Sequence, residues 1–392
     1  MKAILILAAT FSVVWGGSLP QPFTEHCIVG EKNLYPPPEN TSVPLFTVDL
    51  DKDPVERWTE IARTYSSQIS DLVQGAKDFI AAFLGGKIVD SLVKELGNLD
   101  DKLPQPYADE LRGISNVTGV PLGEIVLYNI FYEVFTVCTS IVAEDEQGKL
   151  YHARNLDFGL FLGWNEKTHD WAITERLRKT IVNVEWKKGG KTVFKSVNFA
   201  GFVGVYNGVR PQRFTVTANE RFDLKDGGYI GILKWLMGDR SASWMTLLVR
   251  EVMENADSYD AAVSQLSNTR LMAPVYYIVG GNSSGQGSII VRSRAETLDV
   301  VTLNTSDPNG WYVLETNYDP KSKPLFIDDR RTPGNECMQR LGRKNVGFAG
   351  IFNVLSSTTN LNKLTAYTTL MQVDAGTLET YIQKCEDPCW AF

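Results

Sequence analysis

The stretch "YEVFTVCTSIVAED", residues 132–145, changes character at its centre. A helix-like apolar run ends at Val137, and a run of strand-forming residues begins at the lone Cys138. The two sides of this junction read differently over their whole length. Upstream, from Pro54, the residues Trp58, Ile61, Ala62, Tyr65, Ile69, Leu72, Val73, Ala76, Phe79, Ile80 and Phe83 recur at three- and four-residue steps. That period predicts a long amphipathic helix, with Asp53 as its cap and Pro54 in its first turn. "LGG" ends it, Ile88, Leu92, Val93 and Leu96 mark a shorter second helix, and "YADELRGISNVTG" and "PLGEIVLYNIFYEVFTV" add two more. Residues 19–53, with "YPPPENTSVP", read as an extended arm. So small a helical unit carries more apolar surface than it needs for itself. Either it packs on the rest of the chain or part of it meets lipid.

Downstream of Cys138 strands dominate. "CTSIVA" and "LYHAR" flank "EDEQGK", and "KTIVNVEW" and "TVFKSVNFA" flank "KKGG"; both read as hairpins. "FTVTAN" follows, then helical patterns at 228–238, 243–255 and 257–267. "VYYIVGG", "SIIVRS", "LDVVTL" and "WYVLETN" read as strands, 331–341 and 348–356 as helices, and "AYTTLMQV" as a last strand. Strands and helices in consecutive blocks predict a layered α+β fold, with helices outside a sandwich of two antiparallel sheets.

The chain has 392 residues, 43% of them hydrophobic and 22% charged, which is enough for a substantial core. "MKAILILAATFSVVWGG" has a basic start, an apolar stretch and small residues after it, and reads as a secretory signal peptide (residues 1–17) cleaved near Gly17 or Ser18. No later apolar run is long enough to span a bilayer. Asn40, Asn116, Asn282 and Asn304 each begin an N-x-S/T sequon and are expected in surface loops carrying glycans. The 5 cysteines are an odd number for an oxidising compartment, which leaves one thiol over. Cys385 and Cys389 enclose only "EDP", which suits a local bridge. Cys27 with Cys337 would then tie the N-terminus to a distant segment, with Cys138 left free. The net charge of −7 comes without a basic patch, which argues against nucleic acid as a partner. That acidic balance would change sign in an acidic organelle, because carboxylates titrate near pH ~4.

Several motifs fail on context. "GNSSG" at 281–285 matches G-x-S-x-G, but it sits between two strands and contains a sequon, so it reads as a hairpin and not a nucleophile elbow. His26, His152 and His169 have no zinc spacing, and nothing in the sequence marks His152 or His169 as the base of a Ser-His-Asp or Cys-His pair. There is no P-loop and no G-x-G-x-x-G.

Cys138 itself has two readings. It is a small buried apolar side chain, or it is a nucleophile. A reactive thiol needs a base, and without a placed histidine one candidate is the cysteine's own α-amine, freed if the chain breaks before it. "ARNLDF" supplies Arg154 and Asp157 on the adjacent strand, the first to stabilise a thiolate, the second to hold the amine. Each also reads as half of an ordinary ion pair.

"CTSIVAEDEQGKLYHARNLDFGLFLGWN" resembles the start of the catalytic subunit in the acid ceramidase family, within the choloylglycine-hydrolase-like group of N-terminal nucleophile hydrolases. The resemblance covers nearly the whole chain and includes "PLGEIVLYNIFYEVFTV", "ANERF", "GGYIGILKWL", "ETNYD", "DDRRTP" and "CEDPC". It implies a four-layer αββα sandwich and self-cleavage at Val137–Cys138. An α-subunit of residues 18–137 and a β-subunit of 138–392 would then form an α/β heterodimer. It implies that Cys138 is the nucleophile, with Arg154 and Asp157 beside it. "ANERF" brings Asn219 and Glu220 to the site, and "ETNYD" and "DDRRTP" bring Asn317 and Arg330 to the oxyanion position. The activity implied is hydrolysis of ceramide to sphingosine and fatty acid in the lysosome, partly secreted, with no cofactor and no metal. The partners implied are N-acyl lipids, an anionic membrane surface and a saposin-type activator. The rival of the same class is N-acylethanolamine acid amidase. This chain departs from it in Asn219, in "FGLFLGWN" and in Cys27, Cys337, Cys385 and Cys389. The rival of another class is a non-catalytic lipid-binding or transfer protein, which would have no reason to break at Cys138.

Overall fold

The computed structural model describes residues 27–28, 34–84, 86–97, 103–132, 136–158, 163–223 and 227–389. The signal-peptide stretch, residues 159–162 of "FGLFLGWN" and the side chains of Phe79, Ile80, Phe83 and Ile88 lie outside the described residues. The strands in chain order are β1 Leu45–Asp49, β2 Thr136–Glu144, β3 Leu150–Phe158, β4 Trp164–Asn165, β5 Asp170–Trp171, β6 Ile181–Lys188, β7 Lys191–Phe199, β8 Asn207–Arg210, β9 Phe214–Glu220, β10 Val275–Gly280, β11 Gly287–Arg292, β12 Thr297–Thr302, β13 Tyr312–Glu315, β14 Thr365–Gln372 and β15 Thr377–Ile382. Among the described residues they make an eight-stranded sheet, β1-β6-β7-β8-β9-β10-β11-β12, and a five-stranded sheet, β13-β2-β3-β14-β15, with β4-β5 as a separate ribbon.

The two sheets face each other, β2 lying over β9 and β10 and β14 over β8. Helices α1 Thr59–Thr64, α2 Ser66–Leu84, α3 Gly86–Gly97, α4 Tyr107–Thr118 and α5 Leu122–Tyr132 precede the sandwich, and α6 Ala172–Arg178 and α7 Gly228–Leu236 interrupt its strands. Helices α8 Met245–Asn255 and α9 Tyr259–Asn268 cover the outside of the larger sheet, and α10 Arg331–Leu341 and α11 Phe348–Leu355 the outside of the smaller. The result is the expected four-layer αββα sandwich, because each sheet has one face for the other sheet and one for helices.

The helical segment packs on the rest of the chain. Ile61, Ile69, Leu72, Val73, Leu111, Ile114, Ile125 and Val126 belong to one core with Val184, Trp186 and Phe199 of the larger sheet. Glu110 on α4 and Arg250 on α8, both fully buried, join by contacts of 2.5 and 2.6 Å. Trp58 donates its indole N–H to the same carboxylate at 2.8 Å. Arg250 also lies over the rings of Trp186 and Tyr107, at 4.4 and 4.9 Å. These contacts bind the segment before Cys138 to the segment after it.

Four expectations need correction. The arm is not extended throughout and not free: Glu39–Thr41 is a 3-10 turn, and Leu45–Asp49 is a strand paired in parallel with β6 at the edge of the larger sheet. The helix expected from Pro54 to Phe83 is a 3-10 turn at Pro54–Glu56, capped by the Asp53 carboxylate on Val55 N–H, followed by α1 and α2, which part at Tyr65. There the Tyr65 ring packs on Phe46 of β1, a contact that periodicity along one helix does not reveal. The strand does not start at the cysteine but at Thr136, so Val137–Cys138 lies inside β2. The bridges Cys27–Cys337 and Cys385–Cys389 are formed, and Cys138 is free and buried. Asn40, Asn116, Asn282 and Asn304 are exposed, but Asn116 lies on α4 and not in a loop.

Candidate active site

The β2–β3 register sets Val137 opposite Asp157, Cys138 opposite Leu156 and Ser140 opposite Arg154. Side chains alternate along a strand, so Cys138 and Ser140 share the face that looks at the larger sheet, and Arg154 shares it too. The Arg154 guanidinium donates to Cys138 Sγ. It is aimed there by the carbonyls of Tyr206 and Ala218, each at 3.2 Å, with the Tyr206 ring 5.9 Å away. Burial pushes the Cys138 thiol up. Arg154 and Arg330 pull it down, Asp157 pushes it up further, and burial prevails.

The Cys138 backbone is held as firmly as its side chain. Its N–H donates to Asn317 Oδ1 at 2.9 Å, and its carbonyl accepts from Arg330 Nη1 at 2.5 Å. Arg330, fully buried, also donates to Asn317 Oδ1 at 2.8 Å, Asp328 at 3.0 Å and Asp157 at 3.3 Å. Asp157 accepts from the Thr365 hydroxyl at 2.6 Å. Burial raises its carboxyl to about 6, against the pull of Arg330, Thr365 and Asn362. Asp157 therefore meets Cys138 through Arg330. The Cys138 nitrogen is still a peptide nitrogen with a single hydrogen, and Asn317 takes it.

Two further groups grip the chain just before the junction. The Glu220 carboxylate accepts the Thr136 N–H at 3.0 Å. The Asn317 amide donates to the carbonyl of Glu220 at 2.7 Å and to that of Thr136 at 3.4 Å. Arg154, Asn317 and Arg330 thus bond to Cys138 directly, Asp157 reaches it through Arg330, and Glu220 reaches the junction through Thr136. Asn219 hydrogen-bonds elsewhere. It accepts from Ser140 at 2.8 Å and donates to the carbonyls of Glu315 and Thr316 at 3.1 and 2.9 Å.

The sequence reading missed Asp328 and Thr365. Asp328 stood inside "DDRRTP" and was legible there as a partner for Arg330. Thr365 is brought to Asp157 only by the β3–β14 pairing. Neither histidine within the described residues hydrogen-bonds to Cys138. His152 is buried against Thr215 and Thr217, and His169 pairs with Asp387 at the surface at 2.6 Å. Among the described residues no cluster of His, Cys, Asp and Glu is arranged to hold a metal, and no helix is long and apolar enough to cross a membrane.

A buried thiol beside a guanidinium, at a strand junction gripped on both sides, has the parts for acyl transfer at the Val137 carbonyl. Known proteins bear on this arrangement. The profile described as linear amide C-N hydrolases, choloylglycine hydrolase family, matches residues 138–333 and so starts at Cys138. The profile of the beta subunit of N-acylethanolamine-hydrolyzing acid amidase matches residues 41–103. The acid ceramidase of Homo sapiens is 45% identical over 391 residues, covering 99% of this chain and 98% of the relative. That of Mus musculus is 44% identical over 388 residues, covering 98% and 97%. The solved Caenorhabditis elegans ortholog of N-acylethanolamine-hydrolyzing acid amidase aligns with a TM-score of 0.53 at 30% identity, over 63% of this chain and 100% of its own.

Proposed function

Since the chain belongs to the acid ceramidase family of linear amide C–N hydrolases, we propose that it hydrolyses ceramide to sphingosine and a fatty acid, with Cys138 as nucleophile. The observation that carries the reading is the thiol of Cys138 under the Arg154 guanidinium, at a junction whose peptide groups are bonded to Asn317, Arg330 and Glu220. In the uncleaved chain the thiol adds to the Val137 carbonyl, the C–N bond breaks, and a thioester with a free α-amine forms. Water then hydrolyses the thioester, leaving residues 18–137 with a new carboxylate and still tied to the β-subunit by Cys27–Cys337, and restoring the thiol. The new amine is the base that the uncleaved chain lacks.

In turnover the amine takes the thiol proton and the sulfur adds to the ceramide carbonyl. The Asn317 amide N–H that reaches the Thr136 carbonyl at 3.4 Å in the uncleaved chain is freed by the cut and stabilises the oxyanion. The ammonium returns its proton to the departing sphingosine nitrogen. The amine then deprotonates water, which cleaves the acyl thioester and frees the fatty acid. Arg154 steadies the thiolate, and Asp157 holds the ammonium while Arg330 balances its charge.

The same reading makes the mature protein a glycosylated lysosomal α/β heterodimer, exported through a signal peptide. It meets its lipid at an anionic membrane surface, with a saposin-type activator as a further partner. Leu325, Phe326 and Ile327 support a lipid-facing surface: they stand exposed at 63%, 53% and 46%, three to five residues before Arg330. The profile match and the nematode structure keep N-acylethanolamines as the competing substrate class. Acid-treated protein incubated with ceramide and with an N-acylethanolamine decides between them. A higher kcat/KM on ceramide is expected, and the reverse order would overturn the assignment.

A further inference from the structure

Five buried polar side chains run between the sheets in one connected line behind the nucleophile. His152 on β3 has Nδ1 2.8 Å from Thr215 Oγ1 and Nε2 3.1 Å from Thr217 Oγ1, both on β9. Thr217 donates to Ser140 on β2 at 2.9 Å, and Ser140 donates to Asn219 Oδ1 at 2.8 Å. His152 is 2% exposed and the other four are fully buried, so no solvent completes these bonds.

Counting hydrogens settles the direction of the line. Both N–H groups of Asn219 are committed to the carbonyls of Glu315 and Thr316, so its Oδ1 faces Ser140 and can only accept. The one hydroxyl hydrogen of Ser140 is spent on that oxygen. The hydrogen of Thr217 must then point to Ser140, and Thr217 can only accept from His152. His152 therefore carries a hydrogen on Nε2; with the ring kept neutral by burial beside Arg154, its bare Nδ1 accepts from Thr215. A neutral imidazole satisfies the whole line. Burial, with Arg154 beside it, lowers this group to about 3, so it stays neutral in acid as well. Only the longer contact from Thr215 to the Gly280 carbonyl, at 3.2 Å, is left without its hydrogen.

The line ends where the site begins. Asn219 ties β9 to the end of β13, and the next residue after Thr316 is Asn317, whose amide meets Cys138 and Glu220. We infer that His152, Thr217 and Ser140 are positioning residues, a proton-ordered chain that aims Asn219 and, through the 315–317 backbone, the Asn317 amide at the reacting carbonyl. The inference rests on the role given to Asn317 above.

The discriminating pair is Thr217→Val, which keeps the shape and removes the hydroxyl, against Thr217→Ser, which keeps the hydroxyl. Rates are taken per folded, cleaved molecule, on ceramide and in the self-cleavage of the precursor. Thr217→Val should lower kcat roughly ten- to a hundredfold, as misplaced catalytic groups do. KM should stay within about twofold, and Thr217→Ser should remain near wild type. Ser140→Ala breaks the same line by removing a single oxygen and should reproduce the loss. Unchanged kcat in Thr217→Val, or an equal fall in Thr217→Ser, overturns the inference. So does failure of both Thr217→Val and Ser140→Ala to fold, which would make the line a folding element. If wild type itself turns over no ceramide but still cleaves at Val137–Cys138 at a rate these variants alter, the substrate assignment fails and the positioning chain stands.

Discussion

Glu315 offers the sharpest physical test. It is fully buried at the end of β13, where Oε1 accepts the Thr316 N–H at 2.8 Å and Oε2 has no hydrogen-bond partner among the described residues. Burial raises its carboxyl from 4.5 to about 8, and the Thr316 N–H and Arg331 offset only part of that. The folded chain therefore holds this proton across a range in which the unfolded chain has lost it. The stabilisation is complete below pH 4.5 and is lost as pH rises through about 8. The gap between 4.5 and about 8, at about 1.36 kcal/mol for each step in pH, amounts to roughly 5 kcal/mol, most of it lost between pH 4.5 and 7.5. Glutamine has the shape of the neutral acid and no proton to lose. In a Cys138→Ala background, which keeps one covalent chain, urea unfolding at pH 4.5, 6 and 7.5 compares Glu315 with Glu315→Gln. The two should be of similar stability at pH 4.5 and diverge as pH rises, with the glutamine protein more stable by about 3 kcal/mol or more at pH 7.5. Other groups that titrate in this window, Asp157 among them, cancel in the comparison. Parallel loss of stability in the two proteins would refute a neutral Glu315.

Cys138→Ala should remain one uncleaved, inactive chain on a reducing, denaturing gel, where Cys27–Cys337 no longer holds cleaved segments together, and Cys138→Ser should cleave little, because a hydroxyl is a weaker nucleophile. Cleavage of Cys138→Ala before residue 138 as efficient as wild type would assign the cut to an outside protease. Asp157→Asn should keep the fold yet turn over more slowly even in any cleaved fraction, and wild-type kcat measured on that fraction would remove Asp157 from the mechanism. Glu110→Ala removes one of the two carboxylates paired with buried Arg250, leaving it Glu254 at 2.8 Å and leaving the Trp58 indole N–H without its acceptor, and should cost roughly 1–3 kcal/mol, read against exposed Glu60→Ala as control; a loss no larger than the control's means the pair does not hold the segments together. Flotation with anionic vesicles should strengthen from neutral to acidic pH as the −7 net charge fades, and equal binding at both would exclude charge as the control.

Much of this molecule was legible without coordinates. Local period and turn chemistry located the β2–β3 and β6–β7 hairpins and helices α8 to α11 within a few residues, because those elements are specified by neighbours along the chain. The odd cysteine, the strand-side Arg154 and Asp157 and the "ETNYD" and "DDRRTP" motifs pointed to groups that the fold gathers around Cys138. What the chain alone left undecided depends on partners distant in sequence. "LFTVD" becomes β1 only because β6 offers an edge, with Leu45 set against Asn183. β15 (Thr377–Ile382) goes unread for the same reason: it pairs with β14 at the edge of its sheet and most of its residues are only half-buried. Thr365 serves Asp157 because β14 lies beside β3, and Asn219 serves Asn317 through carbonyls at the end of β13. The strength of these groups is likewise tertiary. A carboxyl held near 8 or an imidazole held near 3 requires the desolvation that only the closed sandwich imposes, and no spacing of residues along a chain encodes it.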